Sequence, residues 1–163
     1  MNEELQTASA SERIREAYAQ FLMSHPWDVF LTLTFDRRFA NPQYGISPER
    51  ADKDFRRLIR YVNEQLEGKR WMRKSSHKGV IWARAQEAHA DGALHYHATL
   101  HSPSTPISHQ LITAISEWWE RRFGFARAEV PRSQEDVTRY LIKHMGNPGS
   151  AEMDFSYNFL MRC

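Results

Sequence analysis

The sequence predicts an α+β fold built on an antiparallel sheet, and three observations predict it. Short runs rich in β-branched and aromatic residues lie at Val29–Phe35 and Val80–Glu87, and a turn then leads to a further run at Ala93–His101. Longer stretches with apolar residues at helical spacing fall at 47–68 and 105–124. Taken in chain order inside the two ends, the elements read β-α-β-β-α-β, followed by a helix. That is the split βαβ, or ferredoxin-like, order.

The polar start of the chain gives way at Ser11 to a helical pattern carrying Ile14, Ala17, Tyr18, Phe21 and Leu22, which His25-Pro26 ends. Val29–Phe35 is a mostly buried strand. Ser47-Pro48 caps and opens a helix with Phe55, Leu58, Ile59, Val62 and Leu66, which Gly68 closes. A basic loop from Lys69 to Lys78 leads to the second strand. Ala90-Asp91-Gly92 is the turn into the third. Thr105-Pro106 opens a helix with Ile112, Ile115, Trp118, Trp119 and Phe123, and Gly124 stops it. Phe125–Val130 is a short fourth strand. Ser133 with Asp136 resembles a capping box for a last helix ending at Gly146. The expected organisation is a helical extension at 1–26, a domain at 27–147 and a tail at 148–163.

With 163 residues, 41% of them hydrophobic and 26% charged, the chain can bury a core without disulfides. Its one cysteine, Cys163, excludes an intrachain disulfide and a Cys-based zinc site, and fits a reducing cytoplasm. An acidic, unbroken polar start speaks against a signal peptide, and no apolar run approaches a membrane span. A net charge of +2 excludes a histone-like coat of cations. The total hides two biases: most cations are Arg, and five of the eight His fall between His77 and His101.

The third strand reads Ala-Leu-His-Tyr-His-Ala-Thr-Leu-His. Strand side chains alternate, so His95, His97, Thr99 and His101 share one face, while Leu94, Tyr96, Ala98 and Leu100 face the core. Two imidazoles two residues apart on one face can reach one metal ion. If the turn has three residues with a Gly92 bulge, Glu87 pairs with His95 and Ala85 with His97, which puts a carboxylate beside both imidazoles. A two-residue turn would instead bring Gln86 opposite His97 and point Glu87 away. The first register is favoured because it makes the better divalent-cation site. His89 is the other candidate for third ligand. Solvated strand histidines are the plain alternative.

On the last helix, Asp136, Tyr140, Lys143 and His144 share one face. Val137, Leu141, Ile142 and Met145 lie toward the other side, so Tyr140 is not where the apolar stripe needs it. A phenol can serve as a nucleophile toward a phosphodiester when a Lys or a divalent cation offsets the charge. Lys143 is one turn away.

Together these motifs resemble the HUH endonuclease superfamily, and within it the single-tyrosine rolling-circle replication initiators (Rep proteins) of small phages and plasmids. Phe30-Leu-Thr-Leu-Thr34 is similar to the first-strand motif, His95-Tyr96-His97 to the His-hydrophobic-His motif, and Tyr140-Leu-Ile-Lys143 to the Tyr-x-x-Lys motif. The resemblance spans about residues 27–147. It implies nicking and joining of single-stranded DNA through a 5′-phosphotyrosine link on Tyr140. It also implies Lys143 as charge partner and a Mn²⁺ or Mg²⁺ ion on His95, His97 and Glu87. The released 3′ hydroxyl would prime replication. The slot one turn after Tyr140 is His144, so one active tyrosine is expected, with Tyr157 as a remote alternative. No helicase module follows, so host helicase and polymerase, or an extruded origin hairpin, are the expected partners.

Lys69, Arg70, Trp71, Arg73, Lys74, Lys78 and Arg139 are the candidate DNA contacts, because Arg with interleaved aromatics suits a single strand. Further Arg residues cluster at Arg56, Arg57 and Arg60, at Arg121 and Arg122, and at Arg127 and Arg132. Three rival readings are a relaxase or single-strand transposase of the same superfamily, a non-catalytic RRM-like nucleic-acid-binding module, and a metal hydrolase using activated water.

Overall fold

A computed structural model of the chain describes residues 9–36, 38, 45–73, 79–88, 93–143 and 152–160. Helix α1 spans Ala10–Met23, and strand β1 spans Val29–Thr34. Helix α2 follows at Pro48–Glu67, with a 3₁₀ turn at Trp71–Arg73. The hairpin β2 (Ile81–Ala88) and β3 (Leu94–His101) precedes α3 (His109–Glu120) and β4 (Ala126–Glu129). Then come α4 (Gln134–Ile142), β5 (Glu152–Phe155) and α5 (Tyr157–Leu160).

The sheet order is β4-β1-β3-β2-β5, and every neighbouring pair is antiparallel. Four strands keep the ferredoxin-like order, and β5 adds a fifth on the β2 edge. The segment expected as a tail therefore supplies, in its described part, an edge strand and a short helix. Arg84 is one reason β5 holds there. Its buried guanidinium lies 2.8 Å from Asp52 of α2 and 2.9 Å from Asp154 of β5. It also stacks 4.4 Å from the Tyr96 ring centroid and 4.7 Å from that of Phe55. Removing either acid would leave a buried cation short of a partner.

Helix ends follow their caps. Ser47 accepts from the Arg50 N–H, Pro48 opens α2, and Gly68 closes it at φ 83°, as the sequence predicts. Helix α1 starts earlier than Ser11 because Ser9 and Glu12 form a reciprocal capping box. Helix α3 starts later than Thr105-Pro106. Ser108 is its cap, accepting from the Leu111 N–H, while the Thr105 hydroxyl donates to Glu67 at 3.0 Å. Ser133 caps α4 by accepting from the Asp136 N–H. The expected end of that helix at Gly146 lies outside the described residues.

The two sheet faces carry separate cores. Leu31, Leu33, Tyr96, Ala98 and Leu100 pack against Phe55 and Leu58 of α2 and Ile115 and Trp119 of α3. All of these are fully buried, each large apolar side chain contributing about 1.5–3 kcal/mol. On the other face Phe30, Ile81, Ala83 and Ala85 pack with Leu22, Trp27, Val137, Leu141 and Phe159. Helices α1, α4 and α5 thus cover part of the second face. What they leave uncovered positions the site.

Candidate active site

The hairpin register pairs Glu87 with His95 and Ala85 with His97. This is the register expected from a three-residue turn, and the other is excluded. The turn residues and His89 lie outside the described residues. Across the opposite edge of β3, Thr34 pairs with His95 and Thr32 with His97. Beyond β1, Thr32 pairs with Arg127 and Phe30 with Glu129. Directly paired residues share a face. Glu87, His95, His97, Thr32, Phe30, Arg127 and Glu129 therefore belong to one sheet face.

Helix α4 lies on that face. Val137 and Leu141 are buried in the second core, which fixes the helix and turns Tyr140 toward β1 and β3. The Tyr140 ring meets His97 edge to face with centroids 4.7 Å apart, and Phe30 likewise at 5.3 Å. It stays 41% exposed, so a strand from solvent can reach it. The Lys143 ammonium lies 4.9 Å from the Tyr140 ring centroid. His97 is buried between these groups. Its ring is parallel to Phe30, its Nδ1 shares a hydrogen bond with the Thr32 hydroxyl at 3.3 Å, and its Nε2 lies 3.5 Å from Glu87 Oε2.

A divalent cation fits this donor set. Two ligands of one ion, each bonded at about 2.1 Å, are at most about 4.2 Å apart, and His97 Nε2 and Glu87 Oε2 fall inside that span. His95 stands directly across from Glu87. Two imidazoles with one carboxylate suit Mn²⁺ more than Ca²⁺. Among the described residues, no three such groups already converge on a single point. The His97–Glu87 pair is thus the formed part of the site.

The basic segment after α2 does not reach it. Lys69, Arg70, Trp71 and Arg73 lie near the start of β2, where Val80 N–H donates to Asn63 of α2. Glu87 is six residues further along the strand, about 20 Å away. Lys74 and Lys78 are outside the described residues. Arg139 neighbours Tyr140 in the chain, but its guanidinium pairs with Glu135 at 2.6 Å. Arg56, Arg57 and Arg60 pair with Asp52, Asp54 and Glu64 along α2, on the far side of the sheet. Arg121 pairs with Glu117, and Arg122 stacks on Trp118. Tyr157 is exposed on α5 and makes no ring contact with His97 among the described residues.

What does adjoin Tyr140 is an open groove of about 230 Å³ between β4 and α4. Phe30, Arg127, Glu129, Arg132, Asp136 and Tyr140 line it. Phe30 and Thr32 are the functional-face residues that a motif alone does not single out. Strand alternation within Phe30–Thr34 is the signal that could have found them.

The fold and this site define an α+β sheet protein with a tyrosine helix set over a His-x-His strand. The chain belongs to the replication-associated protein family of the ORF2 type, whose family model matches residues 28–148. That range runs from just before β1 through Tyr140, and it agrees with the resemblance to a rolling-circle replication initiator. Family membership points to a replication-initiator role with DNA as partner. No curated protein matches the chain. Among the described residues no helix is long and apolar enough to cross a membrane.

Proposed function

We propose that the protein nicks and rejoins single-stranded DNA at a replication origin with Tyr140 as nucleophile. The observation that carries this reading is the half-exposed Tyr140 ring set 4.7 Å from His97, whose Nε2 faces Glu87. A phenol oxygen there is open to a backbone phosphate and adjoins a face able to bind a cation.

The Tyr140 oxygen attacks the phosphorus, and the bond from phosphorus to the 3′ oxygen breaks. The 5′ phosphate is left joined to Tyr140, and the strand end leaves as a 3′ hydroxyl after taking a proton. The reverse attack by a 3′ hydroxyl rejoins the strand. Lys143 offsets negative charge on the phosphate from one turn away. His95, His97 and Glu87 would hold Mn²⁺ or Mg²⁺, which when bound supplies Lewis acidity at a phosphate oxygen. Thr32 and Phe30 hold the His97 ring in place. The released 3′ hydroxyl is the end that a host polymerase extends, with a host helicase separating the strands.

The test is to incubate the protein with single-stranded and hairpin oligonucleotides and Mn²⁺, then denature and resolve the products. A protein–DNA adduct is expected with the natural sequence and is expected to vanish in Tyr140→Phe. An adduct that persists in Tyr140→Phe removes Tyr140 from the mechanism. Cleavage without any adduct points to activated water.

A further inference from the structure

The groove beside Tyr140 is chemically divided. Arg132 sits on it with no ion pair among the described residues, and Arg127 is tied to Glu129 at 2.8 Å. Two acids, Glu129 and Asp136, face the same space. Glu129 uses only Oε2 toward Arg127, and the Asp136 carboxylate has no described partner. The acids oppose a phosphate in their half of the groove, so that half suits a neutral group rich in N–H donors. The Phe30 and Tyr140 rings form part of its wall. An N–H-rich flat group next to a phosphate is a nucleobase.

We propose that this groove is a base-reading subsite, taking one base of the strand next to the phosphate that Tyr140 attacks. The inference rests on the nicking reading for its substrate. A carboxylate only accepts hydrogen bonds, and it reads the exocyclic amino group of a base, as in acid–cytosine pairing. Thymine lacks that amino group and presents two carbonyl acceptors to the acids. The subsite therefore disfavours thymine at one position and accepts an amino-bearing base. Arg132 meets the backbone phosphate at the mouth of the groove. The groove volume limits occupancy to about one base, so one position is read.

The experiment is a binding selection from a randomised single-stranded DNA pool in EDTA, where no cleavage occurs. The natural protein is compared with Glu129→Gln and Asp136→Asn, and folding of each variant is checked by its thermal melt. Asp136 is exposed and the Glu129 side chain is 41% exposed, so the melts are expected to coincide. The pool bound by the natural protein is expected to be depleted of thymine at one position of the aligned motif. Glu129→Gln, which gains a donor, is expected to restore thymine there about fivefold or more and leave the other positions unchanged. No enriched motif, an unchanged motif in both variants, or equal relaxation at all positions overturns the subsite. Adduct formation by the natural protein in Mn²⁺ is scored separately. A Glu129-dependent motif without an adduct keeps the subsite and rejects nicking, whereas an adduct with a Glu129-independent motif does the reverse.

Discussion

The rings of Tyr140 and His97 meet edge to face with centroids 4.7 Å apart. One comes from the last helix of the core fold and the other from the middle strand of the sheet. Their contact depends on α4 being anchored by Val137 and Leu141 on one side and on β3 being centred between β1 and β2. The site is therefore assembled by packing across the whole second face, with the nucleophile candidate on a helix and the ligand candidates on strands.

The first prediction separates Glu87 from its neighbour. Glu87 shares a face with the imidazoles, whereas Gln86 points into the other layer and accepts from the Tyr96 hydroxyl at 3.3 Å. Mn²⁺ titrated into the protein and followed by electron paramagnetic resonance should bind at least about tenfold more weakly to Glu87→Gln. Gln86→Ala should bind as the natural protein does. Equal weakening by both substitutions would remove Glu87 from the donor set.

Thr32 is predicted to position His97. Its hydroxyl engages Nδ1, which leaves Nε2 directed at Glu87. Outer partners of this kind fix the ring and its tautomer, and losing one costs about 10–100-fold in metal affinity. Thr32→Val keeps the branched shape and should show that loss, while Thr32→Ser should restore affinity. If the melting temperature drops in Thr32→Val but Mn²⁺ affinity does not, the residue serves the sheet alone.

Local signals made much of the fold legible. Ser47-Pro48 and Gly68 bracket α2 because cap chemistry is local, and strand alternation placed Tyr96 inward and His97 outward. The Gly92 turn was enough to choose the hairpin register. The start of α3 was not legible, because Thr105 spends its hydroxyl on Glu67, a partner 38 residues away. Strand β5 has only four residues and owes its place partly to Arg84, which no local pattern reveals. The basic runs misled for a related reason. Sequence displays the cations of α2, but their role follows from the acids one turn away that hold them.

The C-terminal segment is predicted to be part of the stable fold. Phe159 is fully buried against Phe21, His25, Trp27 and Phe155. Phe159→Ala should cost about 3–5 kcal/mol by urea denaturation, the range for emptying an aromatic core position. Because α1, α4 and α5 share this core, the variant should also weaken the hold on Tyr140. A cost below about 1 kcal/mol would show that the segment is dispensable for folding.

Tyr96 gives a prediction at alkaline pH. Burial pushes its phenol up from 10.0 to about 12, against the opposing pull of the Arg84 cation. The neutral phenol is therefore favoured by the folded state. Its contribution is complete below the unfolded value near 10 and is lost as pH rises from there through the folded value of about 12. Between about pH 9 and about pH 11.5 this one group should remove on the order of 2 kcal/mol of unfolding free energy. Tyr96→Phe loses the bond to Gln86 and shifts the baseline, but it has no proton to release. Its stability should consequently fall less steeply over the same interval, measured by urea denaturation at the two pH values. Parallel slopes for the natural protein and Tyr96→Phe would mean that the buried phenol ionises as readily in the folded chain as in the unfolded one.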